Sequence, residues 1–200
     1  MKLLFKIIFF IFLTSSQLYA SEASKWLKTE IDFILEAYSN ANISNEKRFL
    51  MIENTVNYNF AGKGIAKFIS GKAWKDASKE TKEKYIKFFK KHLALNVASI
   101  MQGYVNQEYN LIDSKYDSKN KVSLVDMIIS TNSSNITITW RVKQSKERFY
   151  IIDLLVADIS LVVTKRSEFN SMLKNVNYNL DIFSELLNKQ NEESYKLLIN

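Results

Sequence analysis

The chain has no cysteine, which excludes disulfides, thiolate metal ligands, a cysteine nucleophile and a lipidated N-terminal cysteine. Its stability has to come from the core alone. Histidine occurs once, as His92, so no zinc site can be built around it. On the apolar stripe of a helix, such a residue reads as a hydrogen-bonded core or boundary histidine. Proline is absent and there are four glycines in 200 residues, so no Pro/Gly linker divides the chain, and no internal repeat is visible. Nucleophile elbow, Walker loop and dinucleotide fingerprint are missing as well. No catalytic residue and no metal ligand is assigned.

What is present is ordinary for one globular domain: 46% hydrophobic and 24% charged residues. The net charge of +7 is a mild bias and not a nucleic-acid stripe, because lysines are dispersed among Asp and Glu. Two of the positive charges, Lys2 and Lys6, precede an apolar run from Ile7 to Leu13 and a polar segment ending in Leu18, Tyr19 and Ala20. That order matches a secretory signal covering residues 1–20, too short in its apolar part to span a bilayer. Residues 21–200 are then expected as a single domain in a bacterial periplasm, where disulfides are allowed but not obligatory.

The stretch from Phe149 to Phe169 organises the reading, because its period changes from strand to helix partway along. In a regular strand Phe149, Ile151 and Leu155 share one face, and Tyr150, Ile152, Leu154 and Val156 the other, so both faces are apolar. Ser160 is placed to cap a helix with Leu161, Val162, Phe169, Met172 and Leu173 inward and Lys165, Arg166 and Glu168 outward. Upstream, helical spacing predicts helices over 24–39, from a cap at Ser44 through Val56, over 65–69 and over 78–103, the last with Tyr85, Phe88, Phe89, His92, Leu93, Val97, Ile100 and Met101 on one side. Gly62, Gly64 and Gly71 read as helix ends that need left-handed residues. Strands are predicted over 105–112, 122–131, 135–142 and 149–157, linked by turns at 113–121, 132–134 and 143–148, which makes an antiparallel meander. A last helix carries Leu180, Phe183, Leu186 and Leu187, and residues 189–200 read as a frayed tail. The class is α+β.

Asp153 and Asp158 admit two readings. They are a paired acid and base, with Asp153 raised in pKa by its apolar strand, or Asp153 is bonded to an Arg or a backbone N–H, the commoner use. The remaining feature is an excess of apolar side chains, including Met101, Met127 and Met172. An enclosed apolar pocket and an ordinary core covered on both sides both account for it.

The order of landmarks resembles a known family. Tyr58-Asn59-Phe60, Gly71 with Trp74 and Ala77-Ser78, Phe88-Phe89, Tyr150 to Asp153 leading into Ser160-Leu161, and Arg166-Ser167 with Phe169 are similar to the periplasmic phospholipid-binding component of the Mla lipid-asymmetry pathway, the toluene-tolerance family. Asn59 departs from the acid usual there, and Ala157-Asp158 from the commoner Glu-Gly. The resemblance implies a fold like nuclear transport factor 2, a curved antiparallel sheet of about four strands wrapped by N- and C-terminal helices around an apolar ligand cavity. It implies no enzyme activity, no cofactor beyond a bound phospholipid, and exchange of that lipid with an inner-membrane transporter bearing a ring of lipid-binding domains and with an outer-membrane lipoprotein complex. By resemblance the lining includes Phe60, Trp74, Tyr150 and Ile152, to which the apolar pattern adds Phe88, Val125, Met127, Ile138 and Trp140. Lys165 and Arg166 are the candidate partner contacts. A non-lipid periplasmic chaperone or adaptor of the same fold is the alternative.

Overall fold

The structure, a computed structural model, describes residues 2–102, 108–130 and 135–200, with side chains from Ala20 onward. The expected helix end at Gly103, the strand start at residues 105–107, Thr131 and the turn at 132–134 lie outside the described residues. Internal contacts divide the chain into two compact units, Met1–Ile31 with Gln107–Ile159, and Asp32–Asn106 with Ser160–Asn200.

The first unit holds most of helix α1 (Lys2–Ser39) and five strands, β1 (Tyr109–Asp117), β2 (Val122–Ser130), β3 (Asn135–Ser145), β4 (Arg148–Val156) and β5 (Ile159–Ser160). They form one sheet in sequence order, with the printed β1–β2, β2–β3 and β3–β4 ladders all antiparallel. The meander is as expected, with a short fifth strand added after a tight turn in which Ala157 and Asp158 have φ of 47° and 64°, the signs that a two-residue hairpin turn requires. β1 runs on through residues read as a turn, so the β1–β2 connection shrinks to 118–121. The reason is a bulge: Leu111 pairs with Met127 and Asp113 with Asp126, leaving Ile112 as an extra residue that breaks the alternation. β3 likewise extends to Ser145, because Lys143, Gln144 and Ser145 continue the backbone ladder to β4 without needing apolar side chains.

A second bulge lies in β4. Arg141 pairs with Asp153 and Val142 with Ile151, so Ile152 is the extra residue. Side-chain alternation restarts there, and the register puts Phe149, Ile151, Leu154 and Val156 on one face and Tyr150, Asp153 and Leu155 on the other, correcting the regular-strand expectation. Bulges bend a sheet and raise its twist. The bend is visible at α1, where Trp26 and Lys28, about 200° apart around a helix, reach two distant strands on the same face of the sheet. The Trp26 ring lies 5.6 Å from that of Phe149 on β4, and Lys28 Nζ lies 5.7 Å from the Tyr109 ring on β1. The sheet therefore curves around this helix, whose Ala23 and Leu27 are fully buried.

The second unit is helical: the end of α1, α2 (Asn45–Asn59), α3 (Gly62–Ser70), α4 (Lys72–Asp76), α5 (Lys79–Gln102), α6 (Leu161–Asn175) and α7 (Leu180–Ile199). The predicted caps hold: the Ser44 hydroxyl accepts from Lys47 N and the Ser160 hydroxyl from Val163 N. Of the glycines read as helix ends, Gly71 has a positive φ of 53°. Gly62 and Gly64 instead lie inside α3, the former against the Lys90 stem.

One core joins Ile65, Ile69, Tyr85, Phe89, Phe169, Leu173, Phe183 and Leu187; a second joins Phe49, Ile52, Val56, Leu95 and Leu198. Helix α7 corrects the expected frayed tail, because its last turns bury Asn191 and Leu198. Those residues fall at helical spacing on a face the polar composition obscures. The expected stripes are also narrower than read: Ile100, Leu161 and Met172 are exposed.

Candidate functional site

Pairing across the strands assembles two apolar rows on one face of the sheet. Val125 on β2 sits opposite Trp140 on β3, which sits opposite Leu154 on β4; two residues along, Met127 meets Ile138, which meets Val156. Leu111 extends the second row onto β1. Directly paired residues point the same way and alternate residues share a face, so four predicted residues, Val125, Met127, Ile138 and Trp140, form one continuous patch. Val125 and Met127 are buried, while Ile138 and Trp140 are half-buried. The indole Nε1 of Trp140 is enclosed without a hydrogen-bond partner among the described residues, the one polar donor of this patch.

The reverse face is mixed, with Leu124, Ile128 and Leu155 beside polar pairs. Thr139 donates to Asp126 Oδ1 at 2.6 Å, and Arg141 Nη1 lies 3.6 Å from Asp153 Oδ2. Asp153 Oδ1 also accepts from Leu154 N at 2.9 Å. Asp158 is exposed in the β4–β5 turn. The contacts of Asp153 match its structural reading, a carboxylate held by an arginine and a backbone N–H, and supply no acid–base pair.

The other predicted residues lie elsewhere. Tyr150 pairs with Lys143 on the reverse face, with the Arg148 guanidinium 5.0 Å from its ring, and Ile152 is the bulge residue. Phe60, Trp74 and Phe88 belong to the helical unit, half-buried at the rim of its larger core, with Lys82 Nζ 5.6 Å from the Trp74 ring. Lys165 is paired with Glu168 at 2.7 Å, and Arg166 stacks 4.4 Å from the Phe68 ring. Sequence reasoning missed that Ile151, Leu154 and Val156 share the sheet's apolar face, because the shift at Ile152 leaves no mark in the residue pattern.

His92 lies in the helical unit with its ring 5.6 Å from Phe169, and burial holds its pKa down at about 4. It takes part in no cluster of metal ligands; no group of three or more His, Cys, Asp or Glu side chains suited to a metal occurs among the described residues. No helix among the described residues is long and apolar enough to cross a membrane. What the arrangement offers is an apolar surface with one buried donor, which suits hydrocarbon and an acceptor group.

Comparison with curated proteins finds no match. Among solved structures, the chain is similar to a phospholipid-binding protein from Ralstonia solanacearum, determined in complex with a phospholipid. The TM-score is 0.74 at 16% identity, over 86% of this chain and 98% of that one. The two share a fold. The profile of the MlaC protein family matches residues 29–189, from within α1 to within α7 and across the whole sheet. On that match the chain belongs to the MlaC protein family.

Proposed function

We propose that this protein is a soluble periplasmic phospholipid carrier, exported by a signal at residues 1–20, which encloses acyl chains against the apolar face of its sheet. The observation that carries the reading is the pair of continuous apolar rows Val125–Trp140–Leu154 and Met127–Ile138–Val156 on one face of the sheet. Family membership and the Ralstonia protein, which holds a phospholipid in a similar fold, support it.

The physics of such a carrier follows from hydrocarbon transfer. At about 0.8 kcal/mol per methylene, leaving two acyl chains in water costs on the order of 20 kcal/mol, so both have to be enclosed. Moving them from membrane to pocket exchanges one apolar surrounding for another and has a small net free energy. Loading is then reversible, and direction is set by the partners, an inner-membrane transporter complex and an outer-membrane lipoprotein complex, in maintaining outer-membrane lipid asymmetry. Carriage needs no catalytic group, metal or cofactor.

The test is native mass spectrometry of the protein purified from the periplasm without detergent, followed by solvent extraction. A stoichiometric diacyl lipid is expected. A protein that is empty and takes up no lipid from vesicles overturns the reading in favour of an adaptor.

A further inference from the structure

A groove of about 450 Å³ on the helical unit is lined by Lys67 and Phe68 of α3, Lys72 and Lys75 of α4, Gly71 between those helices, and Arg166 of α6. Its lining holds four cations and no carboxylate. Among the described residues none of the four makes an ion pair, whereas Lys84 and Lys165 elsewhere on the unit are paired with acids. Two of the cations are braced on aromatic rings: the Arg166 guanidinium lies 4.4 Å from the Phe68 ring, and Lys72 Nζ 4.9 Å from the Tyr178 ring. Gly71, at φ 53°, brings the backbone close, since a Cβ there would lie 3.6 Å from Arg166 Nη2. Like charges gathered in a concavity repel one another until an anion enters.

We propose that this groove binds the phosphate of an anionic phospholipid in a membrane leaflet, and so docks the protein on the membrane surface. The apolar surroundings favour a lipid over an acidic peptide. Phe68 is 43% exposed inside the groove and Val163, one helical turn before Arg166, is 53% exposed, so cations and apolar side chains are presented together. That combination matches the interface of an anionic bilayer, where phosphate and acyl region lie side by side, and an acidic segment would leave the apolar part unused. The groove is distinct from the apolar face of the sheet, and its role does not depend on that face carrying lipid.

The experiment is vesicle co-sedimentation of the protein purified from the periplasm with phosphatidylcholine alone and with about one-third phosphatidylglycerol, across a salt series. Binding is expected only with phosphatidylglycerol and is expected to weaken with salt. Each lysine near an anionic surface contributes about five-fold, so Lys67→Glu/Lys72→Glu/Lys75→Glu should lose about 100-fold or more. The corresponding triple Lys→Gln variant, which adds no negative charge to the fold, should also lose about 100-fold. Lipid content of the same samples, read by native mass spectrometry, should be unchanged, which separates this proposal from the carrier reading. Equal binding to both vesicle types, or a Gln variant that binds like wild type, overturns the proposal. So does displacement by inorganic phosphate at concentrations too low to screen charge, which would make the ligand free phosphate. Binding to polyglutamate without binding to vesicles overturns it in favour of an acidic protein partner.

Discussion

His92 donates through Nδ1 to Oδ1 of Asn191, 3.2 Å away, joining α5 to the last turns of α7. The amide of Asn191 donates to the Phe88 carbonyl at 2.9 Å, which turns its oxygen toward the ring and sets the proton of His92 on Nδ1. Burial, reinforced by the positive charge of Lys165, lowers the His92 pKa from 6.5 to about 4. The folded state thus prefers the neutral ring. Its contribution is complete above pH 6.5 and is lost as pH falls toward 4, where the unfolded chain binds a proton that the folded one does not. Denaturant unfolding followed between those pH values should show a loss of about 3 kcal/mol that His92→Gln abolishes.

Phe169 is the hub of the larger helical core. Its ring meets that of Phe183 at 5.1 Å and that of Phe89 at 6.2 Å, both edge-on. Phe169→Ala should therefore cost about 3–5 kcal/mol in urea unfolding, and Phe169→Leu less than about 1.5 kcal/mol. A small cost for the alanine variant would mean that neighbouring rings collapse into the space.

The apolar face of the sheet can be probed at two positions that differ in burial. Val125 is fully buried and Ile138 half-buried, so Val125→Glu should unfold the protein, whereas Ile138→Glu should leave the circular dichroism spectrum intact and abolish co-purifying lipid. A folded Ile138→Glu protein with its full complement of lipid would make this face plain core.

Two glycines should respond to alanine with opposite signs. Gly64 lies within α3 with open space at its Cβ position, so Gly64→Ala should stabilise by about 0.5–1 kcal/mol. Gly71 has φ 53°, where a side chain is strained by about 1–2 kcal/mol. Thermal melts of the two single variants give the comparison directly.

Much of the fold was legible because helices and hairpins write themselves locally. Ser44 and Ser160 cap where their spacing to the next apolar residues says they should, and the alternation Ile136–Val142 marks β3 without reference to anything else. The candidate site was legible in part. Val125, Met127, Ile138 and Trp140 come together because β2 and β3 are regular, whereas Tyr150 leaves the set because an extra residue at Ile152 shifts β4 by one. Nothing in the run Tyr150–Val156 signals that shift, since its apolar residues fill either face equally well.

The sequence by itself determined the α+β class, the meander, the capped helices and, by resemblance, the family. These rest on periods and caps carried by residues a few positions apart. The tertiary structure decided which face each β4 side chain takes, that α7 stays helical to Ile199, and that Asn191 is buried against His92. Those outcomes depend on partners far along the chain, 99 positions apart for His92 and Asn191, and a polar residue near a terminus becomes core only when another helix supplies its hydrogen bonds.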